Sequence, residues 1–129
     1  MSNVPDDLRY TKEHEYVART SDAAVVRIGI TDYAQGELGD VVFVNLPKPG
    51  DSVEDHQSFG TIEAVKAVSE LYAPVAGKVV EVNGALERDP AVVNRDPYGE
   101  GWMITLQVAN PAELDALLSA SAYRGHIGE

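Results

Sequence analysis

The residues of this chain that could do chemistry are histidines, carboxylates and one isolated lysine. His14, His56 and His126 lie far apart and no His-x-x-x-His occurs, so they lack the i, i+4 spacing that sets two imidazoles on one helix face around a metal. They read as solvent-facing or singly hydrogen-bonded. Cysteine is absent, which removes disulfides, thiolate nucleophiles and thiolate metal ligands together. Ser58, Ser69 and Ser119 have no Gly-x-Ser-x-Gly context, and the glycines form neither Gly-x-Gly-x-x-Gly nor a Walker A pattern.

Two places remain. Glu13-His14-Glu15 sets a histidine between carboxylates, neighbours that can raise and orient an imidazole. In an extended chain Glu13 and Glu15 would share a side that His14 does not. The triplet reads either as a solvated strand edge or as a polar rim around a ligand. Lys66 is the only Lys or Arg between Lys48 and Lys78, central in Ile62-Glu63-Ala64-Val65-Lys66-Ala67-Val68. Its compact apolar neighbours would leave its stem accessible at a turn. It is either an ordinary surface lysine or the attachment point of a group that partner enzymes must reach.

The elements that position these residues are mostly strands. β-Branched residues recur over 15–20 and 24–30 around Ser21-Asp22, which predicts a hairpin turning near Asp22. Thr31 is placed to cap a short helix over 32–38 that Gly39 ends. The run 41–46 is a strand stopped by Pro47-Lys48-Pro49-Gly50. The segment 59–72 suits helix by composition, but Val65, Val68 and Pro74 favour strands with a hairpin near Lys66. Another strand is expected over 75–82, with Val80 and Val82 on one face and Val79 and Glu81 on the other. Residues 85–101 read as a long loop with one helical turn, and a final strand runs from Trp102 to Val108. Asn110-Pro111-Ala112-Glu113 starts a helix that carries Leu114, Leu117 and Leu118 and loosens by Tyr123 to Gly125. Gly50-Asp51-Ser52-Val53 faintly echoes Gly77-Lys78-Val79-Val80. The fold class is mostly antiparallel β with small peripheral helices.

With 129 residues, one domain is expected over 1–129, with an N-terminal arm at 1–12 and a C-terminal helical segment at 111–125. A net charge of −11 argues against nucleic-acid and anionic-membrane partners. The polar, acidic start does not read as a signal peptide, and the apolar runs fall far short of the roughly 20 residues that span a bilayer. A cytoplasmic location is expected.

Over nearly its whole length the sequence resembles the H proteins of the glycine cleavage system, lipoyl carriers related to biotinyl and lipoyl domains. The resemblance is carried by Tyr10 to Glu15, Gly29 to Gln35, Leu38 to Val44 and Pro47 to Gly50. It continues through Phe59-Gly60, Ile62 to Ala67, Tyr72 to Gly77, Val80 to Asn83 and Val93-Asn94, and ends with Pro97 to Trp102 and Asn110 to Leu114. The order and spacing of these pieces make it specific. It departs at Tyr16, where the family usually has Trp, and at Ala64, where it usually has Ser.

The resemblance implies a flattened barrel-sandwich of two antiparallel sheets, with the lysine at a hairpin tip. It implies lipoic acid covalently attached at Lys66, with Gly77 at the eleven-residue spacing usual in lipoyl domains. It also implies a non-catalytic shuttle. Its arm would accept the aminomethyl group of glycine from the P protein (a pyridoxal-phosphate glycine decarboxylase) and present it to the T protein (an aminomethyltransferase). The L protein, dihydrolipoamide dehydrogenase, would reoxidise the dithiol, and a lipoyl-attaching enzyme would install the group. A cleft would shelter the loaded arm, with Glu15 the first candidate partner for its amine and Glu70 and Glu13 the further ones. The alternative within the resemblance is a lipoyl relay or donor that serves other complexes.

Overall fold

The computed structural model describes residues 2–129. Strands β1 (Arg9–Tyr10), β2 (Glu15–Arg19) and β3 (Val25–Ile30) are followed by helix α1 (Asp32–Leu38). Next come β4 (Val41–Asn45), β5 (Ser52–Val53), β6 (Ser58–Ala64), β7 (Val68–Tyr72) and β8 (Gly77–Val82). Helices α2 (Ala85–Arg88) and α3 (Val92–Arg95), strand β9 (Ile104–Val108), a 3₁₀ helix (Pro111–Ala116) and α4 (Ala120–Ile127) complete the chain. The strands form a six-stranded sheet, β1-β2-β3-β9-β8-β5, and a three-stranded sheet, β4-β6-β7, antiparallel throughout.

The mostly β, two-sheet expectation holds, and the local signals explain why. The β2–β3 hairpin pairs Glu15 with Ile30, and its turn is fixed by Thr20 and Asp22 side chains bonding the turn backbone. Thr31 caps α1 by accepting from the Ala34 N–H at 3.2 Å. Gly39 ends the helix with φ 81°, a conformation that costs glycine little. The core lies between the sheets: Ile28, Ile104, Leu106 and Val79 face Ile62, Leu71 and Val44. The two echoing segments pair with each other, Ser52 with Lys78 and Val53 with Gly77. At Gly77 a Cβ would collide with the Gln107 carbonyl oxygen, so glycine lets β8 approach β9 closely.

Several expectations are corrected. Val80 does not share a buried face with Val82: a register shift between Val79 and Glu81 leaves Val80 42% exposed and turns Val79 into the core. Residues 85–101 hold two helical turns, α2 and α3, rather than one. The helical segment at 111–125 is not one helix. Asn110 caps the 3₁₀ helix through the Ala112 N–H, but Leu118 exchanges both backbone hydrogen bonds with Tyr10, at 2.9 Å each. That strand-like bridge interrupts the helix, and Ser119 caps a second one that runs on to Ile127 instead of loosening at Tyr123. Tyr123 is fully buried, in a second cluster with Val4, Tyr10, Tyr16 and Ala120 that ties the N-terminal arm to α4. Tyr16 uses the hydroxyl that a Trp would lack, donating to the Pro97 carbonyl at 2.6 Å.

Candidate functional site: a lysine hairpin beside an acid-lined cleft

Strands β6 and β7 run past the edge of the core and turn at Val65-Lys66, as the strand reading of this ambiguous segment required. Ala64 and Ala67 exchange backbone bonds across the turn, the Ala64 N–H donating at 2.8 Å and the Ala67 N–H at 3.4 Å. Neither turn residue has a positive φ, so the turn needs no glycine or asparagine. This is why no Asn-Gly or Asp-Gly marks it. The Val65 N–H donates to the Asp40 carbonyl at 3.0 Å and fastens the tip to the α1–β4 connection. The Lys66 stem lies over Gly39, where a Cβ would stand 3.0 Å from its Cε.

Sequence reading gave Asn94 no role, yet it holds this connection together. Its Nδ2 donates to the Gly39 carbonyl at 2.9 Å and to Gln35 Oε1 at 3.0 Å, while its Oδ1 accepts from the Val41 N–H at 2.9 Å.

Below the tip lies a cleft of about 270 Å³. Its hairpin wall is Ile62, Ser69, Glu70 and Leu71, and its helical wall is Tyr33, Ala34, Glu37 and Leu38 of α1. Ile30 and the Glu13-His14-Glu15 segment close it. Lys66 therefore roots where the two walled elements meet. Glu70, remote in sequence, is brought to the same cleft as Glu13 and Glu15, and Glu37 joins them. The signal for Glu37 was its i, i+4 spacing from Tyr33 on α1, one face of a helix. Among the described residues, the lining contains no lysine or arginine.

Glu13 and Glu15 do not share a side, because the chain is not extended between them. His14 has φ 75° and turns the backbone, sending Glu13 to the surface and Glu15 inward. Glu15 is 2% exposed. Its Oε1 accepts from the Thr11 hydroxyl at 2.7 Å and its Oε2 from the Tyr72 N–H at 3.2 Å. Burial pushes its carboxyl up to about 7, against the opposing effect of those two hydrogen bonds. His14 is half-buried, with Nδ1 2.8 Å from the Tyr123 hydroxyl. Burial, and then the facing His126, hold its pKa below the ordinary value. His56 stands apart, 2.7 Å from Asp55 and 3.9 Å from Glu13.

Around the tip the surface is apolar: Val65 is 75% and Phe43 49% exposed, with Val42 and Val68 also open to solvent. Phe43 and Val68 both pair with Glu63, so they flank the same end of the small sheet. A larger concavity of about 460 Å³ lies between the N-terminal arm and the 3₁₀ helix. It shares Glu13 with the cleft but takes no residue from β6 or β7. Among the described residues, no helix is long and apolar enough to cross a membrane.

Comparison with known proteins agrees with this arrangement. A glycine cleavage system H protein from Chlorobium limicola is 54% identical over 127 residues, covering 98% of this chain and 99% of that one. One from Mycolicibacterium vanbaalenii is 55% identical, with full coverage of both chains. The crystal structure of a glycine cleavage system H protein from Mycobacterium marinum superposes with a TM-score of 0.88 at 42% identity, covering 98% of this chain and all of that one. The family model described as Glycine cleavage H-protein matches residues 8–129, and the chain belongs to that family.

Proposed function

We propose that the chain carries one lipoyl group on Lys66 and shuttles the aminomethyl group of glycine, and then electrons, between enzymes of the glycine cleavage system. It catalyses nothing by itself. The observation that carries this reading is an exposed lysine at a hairpin tip, rooted beside a cleft with apolar walls and carboxylates. When bound, the lipoyl group supplies a dithiolane whose sulfurs accept the one-carbon unit and the electrons.

The residues present fit such a group. Ile30, Leu38, Ile62 and Leu71 offer apolar contact to the stem of an arm, and Glu15, Glu13, Glu37 and Glu70 offer negative charge to an amine cargo. Glu15 is the principal partner. An ammonium beside it favours the carboxylate form, so a group poised near neutrality ionises as cargo arrives. Thr11 and Tyr72 keep both of its oxygens oriented. Glu70 and Glu13, exposed at the edges, add attraction without the burial. Enclosure of the amine excludes the water that would otherwise release ammonia and formaldehyde.

The partners are the P, T and L proteins and a lipoyl-attaching enzyme. They approach the tip over Phe43, Val65 and Val68, steered by the chain's net charge of −11 toward basic entrances. We place this work in the cytoplasm. Intact mass and peptide mapping of protein from its native source test the reading. One lipoyl group on Lys66 is expected, while an unmodified Lys66 in cells with active lipoylation refutes it.

A further inference from the structure

We propose that Tyr123, which lies on α4 and outside the cleft, is a positioning residue for the amine cargo. Its one hydroxyl ties the two walls of the cleft together and fixes the His14 imidazole between them. The inference rests on the carrier reading of Lys66 and the cleft.

Tyr123 is fully buried, its ring stacked on Tyr10 with centroids 4.7 Å apart, and no residue of α4 lines the cleft. Its hydroxyl lies 2.8 Å from His14 Nδ1 and 2.7 Å from Thr31 Oγ1. His14 belongs to the turn that closes the cleft, and Thr31 is the N-cap of α1, the helical wall. The His14 turn needs such support, because φ 75° is uncommon for a residue with a Cβ.

The hydroxyl protons decide the form of the imidazole. Thr31 Oγ1 already accepts from the Ala34 N–H. If Thr31 donates to Tyr123 and Tyr123 donates to His14 Nδ1, each hydroxyl proton has an acceptor, and the imidazole proton sits on Nε2. The reverse order, Nδ1–H to Tyr123 and Tyr123 to Thr31, leaves the Thr31 proton without one. The first order requires a neutral His14. The groups facing it are His126 and Tyr123 from α4, Tyr33 and Glu37 from α1, and Glu13 and Glu15 beside it, with Glu70 across the cleft from β7. Charging His14 would reverse the relay and set a cation against His126, whose ring is 5.6 Å away. It would also repel an ammonium in the cleft. A neutral His14 does none of these.

The test begins on the unvaried chain, by ¹⁵N NMR of its histidines. The Nε2–H tautomer of His14 is expected, and an Nδ1–H tautomer overturns the proposal. Tyr123→Phe keeps the stacked ring and deletes only the hydroxyl. Lipoylation of Lys66 is expected to be unchanged, the His14 tautomer to become mixed, and decay of the cargo-loaded protein, followed by intact mass, to quicken roughly three- to tenfold, the size of one lost hydrogen bond. The pH profile of that decay should move with the His14 titration. His14→Gly tolerates the left-handed backbone and removes the acceptor, and the double variant is expected to decay no faster than the faster single variant. Additive effects, or unaltered decay in Tyr123→Phe, overturn the proposal. If the unvaried protein protects its cargo no better than free dihydrolipoamide does, the carrier reading falls, and this inference with it.

Discussion

Replacing Glu15 with Gln keeps the shape of the side chain and removes its charge, and the geometry dictates how stability should respond to pH. The carboxyl is 2% exposed and raised by burial from an ordinary 4.5 to about 7. Because its folded pKa lies above the unfolded one, the folded chain holds more protons than the unfolded chain between these values. Stability therefore falls as pH rises through that window and levels off above it, the opposite of a salt-bridged carboxylate. At about 1.4 kcal/mol for each pH unit, the gap between 4.5 and about 7 amounts to about 3 kcal/mol. Gln carries no such penalty. It does change the bonds from Thr11 and Tyr72, at a cost of about 1 kcal/mol that does not vary with pH. Urea unfolding of both proteins from pH 4 to 8.5 at fixed ionic strength reads the difference. The variant should gain on the native chain by about 3 kcal/mol between pH 4 and pH 8, with most of the change between pH 4.5 and 7. A difference that stays flat with pH would refute the claim that the buried carboxyl is held near neutrality. The same substitution should leave lipoylation of Lys66 intact and speed decay of the loaded form, so that a more stable protein is a poorer carrier. Unchanged decay would remove Glu15 from the cleft's function.

Two further substitutions separate the support of the hairpin from its use. Asn94→Ala strands the Val41 N–H and the Gly39 carbonyl, so stability measured by urea unfolding should fall by about 2 to 4 kcal/mol. A loss below about 1 kcal/mol would mean that the α1–β4 connection repairs itself. Phe43→Ser, at a half-exposed site, should cost no more than about 1.5 kcal/mol of stability. It should nevertheless lower kcat/KM for lipoylation of Lys66 severalfold, and an unchanged value would deny the apolar platform a role in docking.

Much of the fold was legible because its signals are local. Thr31 and Gly39 bracket α1, Asp22 turns the first hairpin, and Pro47 and Pro49 stop β4; each acts within a few residues. Two of the misreadings depended on contacts remote in sequence. The helix expected over 111–125 is broken by a backbone bridge from Leu118 to Tyr10, which nothing near Leu118 announces. The alternation through Val80 fails at a bulge set by pairing with β9. At the site, Lys66 stood out as the lone cation of its region and on the family resemblance, whereas the spread of Glu13 and Glu15 to different environments hung on one backbone angle at His14. Asn94 and Tyr123 gave little sign, since each matters through groups tens of residues away.

On the proposed reading, the cleft must hold its cargo without keeping it, and the surroundings of Glu15 suit that compromise. A fixed, fully ionised carboxylate with strong donors would sit well below 4.5 and grip an ammonium whether or not a partner was present. Glu15 instead sits at about 7, with two donors opposing a large burial penalty. Part of the energy of pairing with an ammonium is then spent on ionising the carboxyl, which weakens retention. In that proposal, covalent attachment of the arm would make weak retention sufficient, because a tethered amine would meet the cleft at an effective concentration on the order of millimolar. Removing the burial penalty rather than the charge would tighten the grip. Thr11→Ser keeps the hydroxyl donor to Glu15 and opens a methyl-sized gap beside a buried carboxyl. Water entering that gap lowers the carboxyl's titration, read by ¹³C NMR, lengthens retention of the cargo and slows transfer to the T protein; a lowered titration with an equal transfer rate would show that retention is not limited by the proton on Glu15.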